Sequence, residues 1–283
     1  MIRAEFSDRK PEKGTRCPDL ELHHNYEYDP DLHLSGDHVP AYVVQLAGTG
    51  KKVLELGAGS GMQTQLLAKD GRNEVVAVDI NPASVEKLKR YVQLVYCLDL
   101  NDSRWTAALA QEGPFDVVIA ADVLEHLYDP WRTMKEIKKL LRQDGILITS
   151  LPYAGNSAIM GLLYQDDFAY QEYGLLDKTH IRFFCLHNIE TLHENGGFTI
   201  TDARFVLRPP EATEFRERWL RLPARVRAAL SVGRHGDVYQ VVTVAQRAET
   251  GATALSLIDA AARRCPPKRK SLLSKVAQSL LDL

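Results

Sequence analysis

Five short apolar runs, the first four each followed by a stretch of helical character, fill the chain between residues 52 and 151. No other feature limits the fold as much. The runs are Lys52–Leu56, 74–80, 94–98, Phe115–Ala121 and 145–151. Runs this short and continuously apolar read as strands buried on both faces, the mark of a parallel sheet covered by helices. Residues 60–69 and 103–111 read as helices. Asn81-Pro82 and Asp129-Pro130 each set a capping side chain before a proline that suits the first helical turn, and the second of these helices runs to Leu141. Right-handed crossovers then bring the C-terminal ends of the strands to one edge, where ligands bind in such sheets.

Beyond residue 151 the rhythm changes. Residues 152–186 are too long for an ordinary connection and form an insertion of the kind used as a lid or binding loop. A helix over 188–194 ends at Gly196-Gly197, and 198–206 and 238–246 read as closing strands. Between them 211–230 is a helical excursion broken at Pro223. The expectation is a seven-stranded, mostly parallel sheet with helices on both faces. Residues 1–40 form a polar N-terminal arm, 41–247 the α/β domain and 248–283 a helical tail. In that tail 252–262 is helical, 263–270 is basic, and Leu272, Leu273, Val276 and Leu280 recur at helix spacing.

Composition closes off several classes. The formal charge is −2, with 35 Lys and Arg against 37 Asp and Glu, which argues against a general nucleic-acid binder. No run approaches the roughly 20 apolar residues that span a bilayer. The N-terminal residues lack the apolar core of a signal peptide. Cys17, Cys97, Cys185 and Cys265 form no CxxC pair, which fits reduced thiols in a cytoplasmic protein. His23, His24, His33 and His38 show no metal spacing and read as solvated arm residues; no metal is expected.

The loop Glu55-Leu56-Gly57-Ala58-Gly59-Ser60-Gly61 joins the first strand to the first helix. Its glycines let the backbone approach a ligand without Cβ clashes. The dinucleotide fingerprint needs glycine where Met62 stands, and no Lys-Ser/Thr follows to make a phosphate loop. Glu55 at the strand end suits a cationic ligand better than a pyrophosphate. Asp79 ends the second strand, where a carboxylate accepts hydrogen bonds from both ribose hydroxyls. Asp99 follows the third strand, facing the place of a base edge. Three acids at successive strand ends beside a glycine loop describe a pocket for a nucleoside with a positively charged tail.

In order, VLELGAGSG, VVAVDI, YCLDL, FDVVIAADVLEHLYDP and LLRQDGILITSLP resemble the motifs of class I S-adenosylmethionine-dependent methyltransferases over about residues 50–205. The resemblance implies a Rossmann-like fold and S-adenosyl-L-methionine as cofactor. It places Glu55, Gly57 and Gly59 around the methionine part, Asp79 and Ile80 at the ribose and adenine, Asp99 and Leu100 beside the adenine, and Ala121 with Asp122 beneath the sulfonium. The stretch YGLLDKTHIRFFCLHNIETLHENGGF is similar to a bacterial group associated with glycan biosynthesis. That implies a small-molecule or glycan acceptor, with O-methylation of a sugar as the leading reaction. Relatives often carry Pro-Asn after the fifth strand, whereas Tyr153 follows Pro152 here. Two rivals stand beside this reading: methylation of another small metabolite, such as a polyketide, quinone or amino-acid derivative, and a non-catalytic cofactor-binding partner of a glycosyltransferase. A homodimer is compatible with all three.

Transfer to a hydroxyl needs a base near the ligand-binding edge. His180, in Asp177-Lys178-Thr179-His180, is that base, with Asp177 to orient it and Arg182 to hold an anionic group of the acceptor. The competing reading has His180, Asp177 and Arg182 knitting the insertion to the sheet. Glu125-His126, after the fourth strand, reads as a packing feature. Tyr153, Tyr164, Phe168, Tyr170 and Tyr173 are interleaved with acids, a pattern that suits either sugar stacking or a small subcore under the loop. Tyr26 and Tyr28 of the arm are candidates to pack over the cofactor.

Overall fold

The structure is a computed structural model that describes residues 36–232 and 235–264. Along the chain it contains α1 (Val39–Ala47), β1 (Lys52–Leu56), α2 (Met62–Ala68), β2 (Glu74–Asp79), α3 (Pro82–Leu88), β3 (Leu94–Cys97) and α4 (Trp105–Ala108). There follow β4 (Phe115–Ala121), α5 (Pro130–Leu140), β5 (Leu141–Pro152), α6 (Ser157–Tyr164), α7 (Leu186–Gly196), β6 (Phe198–Leu207), α8 (Arg216–Arg221), α9 (Ala224–Leu230), β7 (Val238–Arg247) and α10 (Leu257–Arg264). One sheet of seven strands runs in the order β3-β2-β1-β4-β5-β7-β6. β1 to β5 are parallel, and β7 runs antiparallel to both β5 and β6. This is the helix-covered, mostly parallel sheet that the strand rhythm anticipates, in the Rossmann-like arrangement that the class I methyltransferase resemblance implies.

Alternation along the strands fills two cores. Leu54, Leu56, Val76, Val78, Val118 and Ala120 face one side with Met134, Ile137, Ile189 and Leu192 of α5 and α7. Val53, Val75, Val117 and Ile119 face the other with Val43, Val44, Leu67 and Ile159 of α1, α2 and α6. Each of these side chains larger than Ala120 contributes about 1.5–3 kcal/mol by leaving water. Strand order reverses between β1 and β4, so the crevice at their C-terminal ends is the place for a ligand.

The capping signals behave as their chemistry requires. Asn81 accepts from the Ala83 N–H and Asp129 from the Arg132 N–H. Other boundaries shift. The helix expected over 103–111 is only Trp105–Ala108, because residues 109–114 turn ahead of β4. The helix expected over 60–69 starts at Met62, after Gly61 in the left-handed region. β5 starts directly at Leu141, and α7 extends to Leu186–Gly196, with Gly197 as its left-handed cap. The arm gives way to α1 at Val39, and His38 is not a solvated arm residue: its Nδ1 accepts from the Ala41 N–H and caps that helix.

Residues 153–185 do not form a separate lobe. Ile159, Leu162, Ala169, Leu175 and Leu176 join the core on the α1 side. Tyr153 is buried in the opposite core, whereas Tyr164, Tyr170 and Tyr173 are exposed. In the tail, α10 packs on α7 and β6, with Leu257 and Ala261 fully buried. The Leu257 N–H donates to Glu190 at 2.7 Å. Tyr26, Tyr28, His23, His24 and His33, and the stripe from Leu272 to Leu280, lie outside the described residues.

Candidate active site

A cavity of about 890 Å³ opens at the C-terminal edge of the sheet. Its floor is the glycine loop after β1. Glu55, Gly57, Gly59, Asp79 and Ile80 line it together with Asp99, Leu100 and Ala121. His180 reaches the same cavity from the insertion, between Thr179 and Ile181. Asp177 and Arg182 do not line it.

The loop suits close approach by a ligand. Gly57 has φ +68°, and a Cβ there would collide with the Val123 side chain. Gly59 has φ +54°, and its N–H donates to Asp79 Oδ2 at 2.7 Å. The other oxygen of Asp79 accepts from the Asn81 N–H at 2.8 Å. This pins the carboxylate at the end of β2 with lone pairs left for hydroxyls. Asp99 accepts from the Asn101 N–H at 2.8 Å. Glu55 is buried and accepts from Gln63 at 2.8 Å and the Thr64 hydroxyl at 2.6 Å. Burial pushes its carboxyl up to about 7, against the pull of those two donors. A buried acid beside a glycine cradle, with two further carboxylates at the neighbouring strand ends, fits a nucleoside bearing a cationic amino-acid tail.

The other side of the cavity begins at the end of β4. Asp122 adopts φ +54°, in the left-handed region, and accepts from the Ser150 hydroxyl and the Gln240 amide at 2.8 and 2.9 Å. A 3-10 turn, Leu124–His126, follows. The Glu125 carbonyl takes the N–H groups of both Ile181 and Arg182, at 2.9 and 3.0 Å, and so ties the insertion to this turn. The Glu125 side chain is 1% exposed, and neither of its oxygens has a hydrogen-bond partner among the described residues. Burial and the charges of Asp122 and Asp177 hold its carboxyl well above the usual range.

His180 is buried, with Nδ1 3.3 Å from the Leu175 carbonyl and Nε2 4.0 Å from Glu125 Oε1. Asp177 accepts from the Thr179 N–H and hydroxyl at 2.8 and 2.7 Å, which builds the turn that carries His180. Arg182 donates to the Tyr128 carbonyl at 2.6 Å and lies over the Trp131 ring. Its guanidinium braces the rim rather than entering the cavity. Three cavity groups carried no signal in the sequence. Gln240 belongs to an edge-side strand, Glu214 holds Tyr239 and the Leu175 N–H, and Arg208 stacks on the Tyr239 ring at 4.5 Å. None of them belongs to a local motif, so only the folded chain reveals them.

Fold and cavity together define an S-adenosylmethionine-dependent methyltransferase. The model of a methyltransferase domain family matches residues 31–203, and the chain belongs to that family. It is 29% identical over 177 residues to a ubiquinone biosynthesis O-methyltransferase of Coxiella burnetii, covering 60% of this chain and 73% of that one. A protein of the same name from Xanthomonas campestris is 31% identical over 137 residues, covering 45% of this chain and 54% of its own. In fold it is similar to the [4+2]-cyclase SpnF, with a TM-score of 0.50, 16% identity and coverage of 78% and 85%. A methyltransferase of Haloferax volcanii in complex with its Trm112 activator gives 0.50, 15%, 74% and 88%. No helix among the described residues is long and apolar enough to cross a membrane.

Proposed function

We propose that the protein methylates a hydroxyl oxygen of a small biosynthetic intermediate, with His180 as the residue on which loss of the hydroxyl proton depends. The carrying observation is the place of His180: its Nε2 faces the buried Glu125 on the wall of the cavity whose floor is the glycine loop. When bound, the cofactor supplies a methyl group on a positively charged sulfur. The chain must then deliver an oxygen in line, short of its proton and away from water. Glu55 and the glycine loop hold the cationic tail, Asp79 the ribose, and Asp99 with Leu100 the base. Asp177 positions His180 by fixing the turn before it.

A phenolic acceptor of the quinone-precursor type stands first. The named relatives support it. So do the apolar and aromatic side chains of Leu175, Ile181 and Tyr239 on the acceptor side of the cavity. A sugar acceptor stands second, on one observation: Tyr173 is 59% exposed and lines the cavity near Glu214, an arrangement that suits ring stacking with hydroxyl binding. The test is incubation with S-adenosylmethionine and a panel of catechols, hydroxybenzoates and nucleotide sugars, with products read by mass spectrometry. An O-methylated phenol is expected. Methylation confined to nitrogen or carbon acceptors overturns the reading, and turnover confined to sugars moves it to the second form.

A further inference from the structure

Among the described residues, Arg208 is the one lysine or arginine that lines the cavity. It directly follows β6, on the wall that also carries Tyr239 and Glu214. The sequence offers Arg182 for an anionic group of the acceptor, but Arg182 is turned to the rim, where it donates to the Tyr128 carbonyl.

The chain around Arg208 holds its side chain in place. It precedes Pro209, and a residue before proline is pushed toward extended backbone. Its N–H donates to the Asp237 carbonyl at 2.7 Å, and its carbonyl accepts from the amide of the fully buried Asn156 at 3.4 Å. The guanidinium lies over the Tyr239 ring, 4.5 Å from the centroid. That ring is itself fixed. Its hydroxyl donates to Glu214 at 3.1 Å, and Glu214 also accepts from the Leu175 N–H at 2.6 Å. A long side chain loses rotamer freedom when it grips a ligand, and the stack on Tyr239 removes part of that freedom beforehand.

No carboxylate answers this charge. Among the described residues the Arg208 guanidinium makes neither an ion pair nor a hydrogen bond. Both oxygens of Glu214 are occupied by Leu175 and Tyr239. Burial raises the carboxyls of Asp122 and Glu125, so the acceptor side carries less negative charge than its acids suggest. A guanidinium stacked on a ring keeps its N–H groups in its own plane, as a fork that fits two oxygens of a carboxylate or phosphate.

Short contacts join this wall to the rest of the acceptor side. The Leu175 carbonyl stands 3.3 Å from His180 Nδ1, while the Leu175 N–H holds Glu214. Gln240, next to Tyr239 on β7, donates to Asp122 at 2.9 Å.

We propose that Arg208 is a specificity-determining residue that binds an oxyanionic group of the acceptor, a carboxylate or a phosphate, while the acceptor hydroxyl faces His180. The inference rests on the methyl-transfer reading of the cavity and narrows its acceptor to a hydroxylated acid or phosphate ester. Among phenols it selects hydroxybenzoates over neutral catechols, and among sugars it selects phosphorylated forms.

The experiment uses the full chain with S-adenosylhomocysteine bound. The probes are 3,4-dihydroxybenzoate, its uncharged methyl ester and UDP-glucose, each titrated by calorimetry. At least one anionic probe is expected to bind about tenfold or more tighter than the ester. Arg208→Met, which keeps an apolar stem, should weaken that probe about 10–100-fold and leave the ester unchanged. Arg208→Lys should recover part of the loss, because the charge returns without the fork. In turnover with S-adenosylmethionine the Arg208→Met loss should fall on KM rather than on kcat. Unchanged affinity for S-adenosylhomocysteine shows that each variant is folded. Arg221→Met, at an exposed arginine of α8 outside the cavity, is expected to match the wild type. Preference for the dihydroxybenzoate assigns the site to a carboxylate, and preference for UDP-glucose assigns it to a phosphate. An ester that binds as tightly as both anions, or an Arg208→Met loss shared equally by all probes, overturns the proposal and leaves methyl transfer to a neutral acceptor standing. Failure of both anions to bind at about 1 mM overturns it as well. Anion binding that depends on Arg208, without methylation of any hydroxyl, keeps the anion site and removes the proposed function.

Discussion

The two halves of the cavity are built differently. In the cofactor half each acid is tied to groups within 20 positions of it in sequence, most of them within nine. Glu55 is held by Gln63 and Thr64, Asp79 by the Gly59 and Asn81 N–H groups, and Asp99 by the Asn101 N–H. In the acceptor half the partners come from far away. His126 meets Thr179 across 53 positions, and Gln240 reaches Asp122 across 118. Glu125 has no hydrogen-bond partner at either oxygen among the described residues. The first half is a set of local turns, joined by one bond between neighbouring strand ends, from Gly59 to Asp79. The second exists only once the insertion docks, and it keeps the buried Glu125 carboxyl beside His180. Damage to the first half should therefore appear in binding, and damage to the second in turnover.

The largest expected effect tests the acceptor half. His180→Ala should lower turnover about 10²–10⁴-fold. Affinity for S-adenosylhomocysteine, measured by calorimetry, should stay close to wild type. A parallel loss of cofactor affinity would merge the two halves and assign His180 to scaffolding.

The next concerns what supports the comparison from outside the cavity. Leu257 is fully buried between α7 and β6. Leu257→Ala should cost about 2–4 kcal/mol of stability in denaturant unfolding, from lost burial and the cavity left behind. Cofactor affinity of the folded fraction should not move. A stability change below the error of the measurement would detach α10 from the domain.

A smaller effect probes the cofactor half. Asp79→Ala should weaken S-adenosylhomocysteine binding by about 1–3 kcal/mol, the range for hydrogen bonds to a charged group. Turnover at saturating cofactor should fall much less. An unchanged affinity in a folded variant would remove Asp79 from the ribose.

The smallest is a pH effect at Glu55. Its carboxyl stands at about 7 in the free protein, raised by burial from an ordinary value of 4.5. A cationic ligand group favours the ionised form, so binding below pH 7 must expel a proton. Affinity for S-adenosylhomocysteine should rise as pH climbs to about 7, by at most about tenfold per pH unit, and then level off. Stability of the free protein carries the opposite sign. The raised carboxyl contributes fully below about pH 4.5, and that contribution is lost as pH rises through about 7. Calorimetry in buffers of different ionisation heat reads the released proton. A Glu55→Gln variant that keeps the full pH dependence would place its origin elsewhere.

The same division separates what was legible in the chain from what was not. Strand period, the Asn81-Pro82 and Asp129-Pro130 starts and the glycine loop are signals written within a few residues, because backbone sterics and capping act over one turn. They sufficed for the seven-stranded sheet and for gathering Glu55, Gly57, Gly59, Asp79 and Asp99 at one edge. His180 was legible as a residue type in an unusual segment, but its partner was not. Sequence proximity pointed to Asp177, whose carboxylate builds the turn before His180, while Glu125 from the turn after β4 stands 4.0 Å from its Nε2. The burial of Glu125, the bracing of Arg182 on Tyr128 and Trp131, and the arrival of Gln240 under Asp122 depend on long-range docking of the insertion and β7 against the end of β4. Packing of that kind joins residues by shape and burial rather than by spacing. The chain alone therefore determined which groups gather at the proposed cofactor end, and only the tertiary structure decided which groups line the proposed acceptor side.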